Sequence, residues 1–171
     1  HGTSWGYICP TETPEGQAVG VVKNLAMNCE VSITETSQPV RYYIEEYILP
    51  FKDIDIYNYN KLEFVKVFVN GDWLGYTKHP KELVSFVKGK RKNGCVNIHT
   101  SINWNIQEQS IYIFSDSGRP LRPLLVVKDG KTMFTQEIAH GLKENKVKWL
   151  ELISTITSYK SYCIEYIDPH E

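Results

Sequence analysis

Two carboxylates three residues apart lie in a proline-stiffened turn near the start of the chain. The stretch Cys9–Leu25 is CPTETPEGQAVGVVKNL, in which Glu12 and Glu15 stand on either side of Pro14. Pro14 fixes its own φ and biases Thr13 away from the helical region. A carboxylate in such a turn can hold an arginine or lysine by a charge-assisted hydrogen bond. These residue types indicate a loop that positions a charged partner, and a capped helix entry is the alternative.

The residues after this turn have the spacing of a short helix. Thr13 can act as N-cap with Pro14 at the first helical position, and Glu15 then lies near the positive end of the helix dipole. Apolar residues at helical spacing predict a helix over 18–27: Val21, Val22, Leu25 and Ala26. Lys23 lies on the exposed edge of that helix, where it can reach a phosphate or remain solvated.

The usual catalytic and metal-binding templates are absent from the sequence. There is no G-x-S-x-G elbow, no phosphate-binding P-loop and no H-E-x-x-H. The four cysteines form no C-x-x-C pair and the five histidines are scattered, which argues against a local zinc site. Asp53 and Asp55 form a D-x-D without a third carboxylate nearby, so a solvated loop is favoured there. No catalytic residue and no metal ligand is predicted within this chain.

Net charge and hydropathy give no indication of a chain that binds nucleic acid over its whole surface or spans a membrane. It has 171 residues, 42% hydrophobic and 23% charged, with a formal net charge of −1. This composition is that of an ordinary globular domain, and no apolar run approaches the length of a membrane span. The basic run Lys88–Lys92 could meet phosphates, but cations are favoured at a helix C-terminus in any case. The chain begins without Met on ordered-looking sequence, so we expect a piece of a longer protein.

Local patterns predict an α+β fold of mixed small sheets and hairpins with short packed helices. Asn70-Gly71 between two β-rich arms predicts a type I′ hairpin, and Pro80 opens a helix that Gly94 can close. A helix is predicted to start at Ser37 or Gln38, with Pro39 in its first turn, and to stop at Pro50. The remaining assignments are strands at 4–9, 29–34 and 162–168, a loop over 53–61, strands on either side of a turn at Asp116–Gly118, a turn at 129–131 and a helix over 146–157. Irregular alternation of helices, strands and hairpins favours α+β over a doubly wound parallel sheet.

Several stretches resemble one family in the same order along the chain. They are CPTETPEGQ at 9–17, GVVKNL at 20–25, VFVNGDWLGYTKHPKELV at 67–84, IFSDSGRPLRPLLVV at 113–127 and IEYIDPHE at 164–171. Together they resemble the second-largest subunit of multisubunit DNA-directed RNA polymerases, the counterpart of the bacterial β subunit. Gln17, where bacterial members usually have proline, favours the eukaryotic, archaeal and large-DNA-virus branch.

The resemblance implies a domain division and a set of site residues. Residues 1–32 would be the C-terminal part of the fork domain and 33–171 the external domains, with a β-rich subdomain containing one helix over about 62–127. The fork lies near the RNA–DNA hybrid and supports the active centre. Residues implied in this support, or in proximity to nucleic acid, are Glu12, Thr13, Pro14, Glu15, Gly16, Gln17, Lys23 and Asn24. Turn chemistry and structural ion pairs are expected of Asn70, Gly71, Asp116, Gly118, Arg119 and Arg122.

The resemblance also implies where the chemistry of the whole enzyme resides. Mg²⁺ is held mainly by aspartates of the largest subunit, so the isolated chain is expected to be inactive. The implied partners are the largest subunit, other polymerase subunits, template DNA and nascent RNA, with no membrane. The implied location is the nucleus or cytoplasm, or the cytoplasm or virion if the chain is viral. The alternative is a stand-alone, non-catalytic α+β module of this descent that binds protein or nucleic acid.

Overall fold

The computed structural model of the chain describes residues 1–53, 64–155 and 162–171. Most of the loop predicted over 53–61, Asp55 of the D-x-D, the first two residues of the 62–127 region and the end of the helix predicted over 146–157 lie outside the described residues. In the described part the α-helices are α1 (Gln38–Ile44), α2 (Pro80–Lys92), α3 (Gln136–Lys143) and α4 (Trp149–Ile153). The strands are β1 (Glu30–Val31), β2 (Val65–Val69), β3 (Asp72–Thr77), β4 (Ser101–Asn105), β5 (Ser110–Phe114), β6 (Pro120–Leu125), β7 (Val127–Lys128), β8 (Lys131–Thr132) and β9 (Ile164–Ile167).

A four-stranded mixed sheet and two helices form the largest core. The strand order is β3-β2-β5-β4, with β2 and β5 parallel and the other neighbours antiparallel. Alternate residues of β2 and β5 face the helices, as the period of two in a strand requires. The buried cluster is Val40, Ile44, Val65, Val67, Val69, Leu83, Val87, Val96, Ile102, Ile111 and Ile113.

A second sheet joins the first and the last strand of the described chain. Its order is β1-β6-β9 and both pairings are antiparallel. Leu121 of β6 and Tyr166 of β9 are buried together with Ile153 of α4. The central strand β6 is therefore the element on which the N-terminal and C-terminal strands meet.

The hairpin and the long helix were predicted correctly because each depends on a local signal. Asn70 and Gly71 have φ values of +50° and +87°, the left-handed conformation that a type I′ turn requires at both positions. Pro80 begins α2, and Leu83 and Val87 lie on its buried face. Gly94 follows with φ of +67°, which ends the helix.

The helix predicted over 18–27 and the strand predicted over 4–9 are wrong. Residues Gly16–Ala18 form only a 3₁₀ turn, because Gly20 has φ of +73° and leaves the helical conformation. Gly2–Ser4 form another 3₁₀ turn and Gly6 bends the chain at φ of +82°. Of the predicted strand, only Ile8 remains paired, in an isolated bridge to Leu25.

Further differences concern short elements. β4 and α3 were not predicted from the sequence, β1 is two residues long, and α4 begins three residues later than expected and ends at Ile153, since Ser154 is extended. The helix predicted to stop at Pro50 begins as expected, but it ends at Ile44 and a 3₁₀ turn follows at Glu45–Tyr47. The strands around Asp116–Gly118, the turn at 129–131 and the final strand were predicted correctly. The α+β class is confirmed. No helix in the described ranges is both long and apolar enough to cross a membrane.

Candidate functional site

The stretch that contains Pro10 and Pro14 forms a loop whose two ends are joined by backbone hydrogen bonds. The backbone N–H of Cys9 donates to the carbonyl of Asn24 at 2.9 Å, and that of Ala26 donates to the carbonyl of Tyr7 at 3.0 Å. The Ile8–Leu25 bridge lies between these two bonds. We call residues 9–24 the fork loop. These two cross-strand hydrogen bonds, which together make up the Ile8–Leu25 bridge, hold the two ends of the loop side by side.

Thr13 holds the interior of the fork loop. Its hydroxyl accepts from the backbone N–H of Gly20 at 2.9 Å and donates to the carbonyl of Val22 at 3.2 Å. Thr13 therefore closes the loop on itself, and the expected N-cap of a helix is not formed. Asn24 adds a longer bond from Nδ2 to the carbonyl of Glu12 at 3.4 Å.

The charged side chains of the fork loop face outward. Glu12, Glu15 and Lys23 are exposed, and none of them forms an ion pair with a residue that the structure describes. Gln17 is exposed as well. Pro14 lies between the two glutamates, and Gly16 has φ of +82°, a conformation that glycine adopts without strain. The loop is thus shaped by its own backbone and Thr13, and its charges are directed at solvent.

Apolar side chains near the fork loop are also unusually exposed. Val19 is 56% exposed, Val21 77% and Met27 103%. Isolated exposed apolar residues are ordinary, but a contiguous group marks an interaction surface. Trp5, Val22 and Leu25 are also more than half exposed. Of these side chains, Trp5, Val22 and Met27 line one cleft.

A cleft of about 580 Å³ separates the loop from the N-terminal turn. Glu12, Thr13 and Lys23 line it together with Trp5 and Cys9. The other predicted site residues are placed outside this cleft: Pro14, Glu15, Gly16, Gln17 and Asn24. The structure therefore brings one carboxylate and one ammonium group to the same opening.

Cys9 was not predicted as a site residue, although it lines the cleft. A hydrogen bond with the Thr11 hydroxyl, followed by bonds from the backbone amides of Thr11 and Glu12, lowers the pKa of the Cys9 thiol below its ordinary value. The same loop geometry that exposes Glu12 thus favours negative charge on the sulfur. Its position directly before Pro10 in a turn-forming stretch was the available signal.

The turn at Asp116–Gly118 is followed by Arg119, whose side chain contacts three separate parts of the chain. Arg119 pairs with Asp116 at 3.0 Å and with the buried Asp168 at 3.2 Å, and it donates to the carbonyl of His99 at 2.7 Å. Ser101 also bonds to Asp168. Gly118 has φ of +79° in the preceding turn. These contacts place Arg119 among ion pairs of the kind expected from the sequence.

Asn70 has a second contact besides its place in the hairpin turn with Gly71. Its Nδ2 donates to Ser115 Oγ at 3.0 Å, and its Oδ1 accepts from the backbone N–H of Ser115 at 2.8 Å. Arg122 departs from expectation, because no carboxylate among the described residues pairs with it. Arg122 donates instead to the carbonyl of Trp5 at 2.7 Å and lies over the ring of Tyr7.

The ion pairs that involve Arg91, and those that involve Asp168, were not predicted from the sequence. Arg91 is 5% exposed and Asp168 is 1% exposed. Arg91 continues the stripe of Leu83 and Val87 at intervals of four residues, and that spacing was the signal that it faces the core. Lys90 and Lys92 of the same basic run lie over the rings of Tyr43 and Tyr162, so much of the run is engaged within the chain.

The described residues do not form a metal centre. They contain no group of three or more His, Cys, Asp and Glu side chains that could hold a metal ion. Glu12 and Glu15 are two carboxylates on an open turn, without a third ligand. All four cysteines are free thiols. The acidic residues of the fork loop therefore do not fit a Mg²⁺ site.

Comparison with known proteins decides the family. Residues 1–31 match the family model described as RNA polymerase Rpb2, domain 3, and residues 67–128 match RNA polymerase Rpb2, domain 4. The two models describe consecutive domains of the same subunit, and they match this chain in the same order. The chain belongs to the family of second-largest subunits of DNA-directed RNA polymerases. The resemblance drawn from the sequence motifs is confirmed.

Relatives in this polymerase family come from three kinds of organism. The chain is 38% identical over 172 residues to DNA-directed RNA polymerase II subunit RPB2 of Encephalitozoon cuniculi, covering 100% of the chain and 14% of the relative. It is 31% identical over 183 residues to subunit Rpo2 of Sulfolobus acidocaldarius, covering 100% and 16%. It is 32% identical over 175 residues to subunit 2 of Acanthamoeba polyphaga mimivirus, covering 100% and 14%. The chain thus spans about one seventh of the length of these curated relatives.

Proposed function

We infer that this chain supports the active centre of a DNA-directed RNA polymerase by presenting the fork loop to the RNA–DNA hybrid and the elements around it. The proposal carries the family's activity, DNA-templated nucleotide addition, to the protein that contains this chain. The chain itself would supply no catalytic group. The largest subunit, other polymerase subunits, template DNA and nascent RNA would be its partners, in the nucleus or the cytoplasm.

One observation carries the proposal. The fork loop keeps its shape through its own contacts, while Glu12, Glu15 and Lys23 are exposed without ionic partners in the described chain. A loop needs no such charges to hold itself together. Carboxylates held in a fixed turn can orient arginine or lysine side chains of a neighbouring element, and an ammonium group can meet a phosphate.

Mg²⁺ would be held by other parts of the enzyme, where it would stabilise charge on the reacting phosphate. Within the described chain the contribution is positional. Glu12 and Glu15 would orient basic groups of adjacent elements, and Pro14 and Gly16 would set the turn that presents them. Gln17, Lys23 and Asn24 would lie close enough to contact the hybrid or its neighbours, and residues 1–32 and 33–171 would be the fork and external portions.

Nucleotide-addition kinetics test the role of the loop carboxylates. In the whole polymerase, we expect Glu15→Ala to change the addition rate or pausing severalfold while the subunits still assemble. Glu46→Ala is the matched control, because Glu46 is an exposed carboxylate in a 3₁₀ turn and Glu15 is one directly before such a turn. If the two variants have the same kinetics as the unmodified enzyme, Glu15 has no part in the active centre.

Crosslinking tests the location of the loop. A photoreactive amino acid in place of Lys23 should crosslink to the hybrid in a stalled elongation complex. The same amino acid in place of the exposed Lys81 on α2 should not. Equal yields at the two positions would contradict the placement of the fork loop.

A further inference from the structure

The segments that precede and follow the fork loop both contact one strand, β6. On the exit side, Glu30 and Val31 of β1 pair with Leu121 and Pro120 of β6. On the entry side, Arg122 of the same strand donates from Nη1 to the carbonyl of Trp5 at 2.7 Å. The segments on the two sides of the loop thus contact three consecutive residues of that strand, 120–122.

In the described part of the chain, the side chain of Arg122 contacts the entry segment, residues 5–7. Its guanidinium lies 5.0 Å from the centre of the Tyr7 ring, a cation–π geometry. Its Nε is buried without a hydrogen-bond partner among the described residues, and no described carboxylate pairs with it. An arginine that served only to stabilise β6 would gain more from an acidic partner. The specific contacts of Arg122 are therefore with residues 5–7.

Gly6 completes the contact between Arg122 and the entry segment. Its φ is +82°, and a Cβ at this position would lie 3.0 Å from Arg122 Cδ and 3.3 Å from Arg122 Cβ. A Cβ there would require the arginine stem to shift by a few tenths of an ångström, and glycine adopts this positive φ without the strain that a side chain causes. The requirement for glycine at position 6 thus comes from the arginine and from the backbone conformation together.

The entry segment transmits this placement to the loop base. The carbonyl of Tyr7 accepts from Ala26 at 3.0 Å, and its phenol donates to the carbonyl of Ile167 in β9 at 3.2 Å. Cys9 follows two residues later with its bond to Asn24. A displacement of Tyr7 would therefore move both limbs of the loop base.

We propose that Arg122 is a positioning residue for the active centre: it fixes the entry of the fork loop on β6 through Trp5, Gly6 and Tyr7. This inference rests on the proposed function, since a loop that supports nucleotide addition must be held in register with its partners. Under this proposal, Arg122, which lies in the external part of the chain, controls the geometry of the fork loop. Arg122→Lys keeps the charge but loses the planar group that bonds Trp5 and stacks on Tyr7.

Two substitutions disturb this contact from opposite sides, and each has a matched control. Arg122→Lys acts on the guanidinium, and Arg41→Lys is its control at a surface arginine paired with Asp72 at 2.5 Å. Gly6→Ala introduces a methyl group against Arg122. Its control is Gly71→Ala, where φ is +87° but nothing lies within 4 Å of the added Cβ.

The experiment measures amide hydrogen exchange and single-nucleotide addition in the assembled polymerase. We expect Arg122→Lys and Gly6→Ala to accelerate exchange at Cys9 and Ala26 about tenfold, which corresponds to about 1.4 kcal/mol of local opening. Exchange at Val126, which bonds to Cys163 beside β6, should stay unchanged. The addition rate at saturating nucleotide should fall at least about threefold, corresponding to about 0.7 kcal/mol in the barrier, while the control variants match the unmodified enzyme.

The two measurements separate the inference from the function beneath it. Unchanged exchange at Cys9 and Ala26, or equal acceleration at Val126, would overturn the positioning role whatever the addition rate. Local acceleration of exchange with an unchanged addition rate would support the attachment by Arg122 but overturn its effect on the active centre and the proposed role of the loop. Both effects together, in both variants and neither control, support the proposal.

Discussion

Arg91 of α2 donates two hydrogen bonds to Glu171, and both side chains are buried. Nη1 donates to Oε2 at 2.6 Å and Nη2 to Oε1 at 2.8 Å, and the two side chains are 5% and 4% exposed. Burial alone would lower the pKa of Arg91, but the hydrogen bonds with Glu171 and the charges of Glu171 and Glu165 raise it above its ordinary value. The pair joins the helix of the four-stranded sheet to the segment after β9.

Removing one member of this pair should destabilise the chain strongly. Glu171→Gln leaves a buried guanidinium without its full countercharge, so we expect the free energy of unfolding to fall by about 3 kcal/mol. Urea unfolding measures the change. Asp72→Asn is the control, because Asp72 is 69% exposed in its pair with Arg41 and its loss should cost under about 1 kcal/mol. Equal costs would mean that burial does not strengthen the Arg91 pair.

The Asn70 side chain should contribute separately from its backbone conformation. Asn70→Gly keeps a positive φ but leaves the N–H of the buried Ser115 without its acceptor, which should cost about 1–3 kcal/mol. Asn70→Ala should cost about 1 kcal/mol more, because alanine also resists the left-handed conformation. Unfolding free energies of both variants test the order, and a less stable Gly variant would contradict it.

The elements predicted correctly depend on signals that neighbouring residues supply. Asn70-Gly71 marks its own turn, and the Leu83–Val87 stripe marks a helix that has a sheet to cover. Val21, Val22 and Leu25 also have the spacing of one helix face, yet all three side chains are exposed in the described chain. An apolar period predicts a helix only where a core is present to bury that face, and the sequence does not state where the core lies.

The candidate site was predictable in its residue types and unpredictable in its attachments. Proline, glycine and two glutamates in a short stretch indicated a shaped, charged loop. The contact of Arg122 with Trp5 joins residues 117 positions apart, and no local pattern contains that information. The ion pair that the resemblance implied for Arg122 is therefore not formed with any described carboxylate.

His99 should link stability to pH. Burial lowers the pKa of His99 below 6.5, assisted by Arg119 and opposed by Glu30 and Glu35. The unfolded chain therefore takes up this proton at higher pH than the folded chain does. Stability is complete above the unfolded pKa and is lost as pH falls from there toward the lower folded pKa.

A titration of stability tests this link. The free energy of unfolding of the unmodified chain should fall more than that of His99→Phe between about pH 7 and pH 5. Phenylalanine keeps a ring against Tyr166, which His99 contacts edge to face at 5.7 Å. Carboxylates that titrate in the same range act in both proteins, so the difference between the two curves isolates His99. Parallel curves would show that His99 takes up its proton equally in both states.

Thr13 should determine the order of the fork loop independently of its charges. Thr13→Val replaces the hydroxyl with a methyl group of similar size and removes the bonds to Gly20 and Val22, each worth about 1 kcal/mol. Exchange of the Gly20 amide should then accelerate at least about fivefold, while Thr13→Ser, which retains the hydroxyl, should change it little. Thr11→Val is the control in the same loop, since the Thr11 hydroxyl contacts Cys9 and neither Gly20 nor Val22. Equal exchange in Thr13→Val and Thr11→Val would mean that the loop is held by its base alone. Faster exchange confined to Thr13→Val would mean that the Thr13 hydroxyl holds the interior of the fork loop closed.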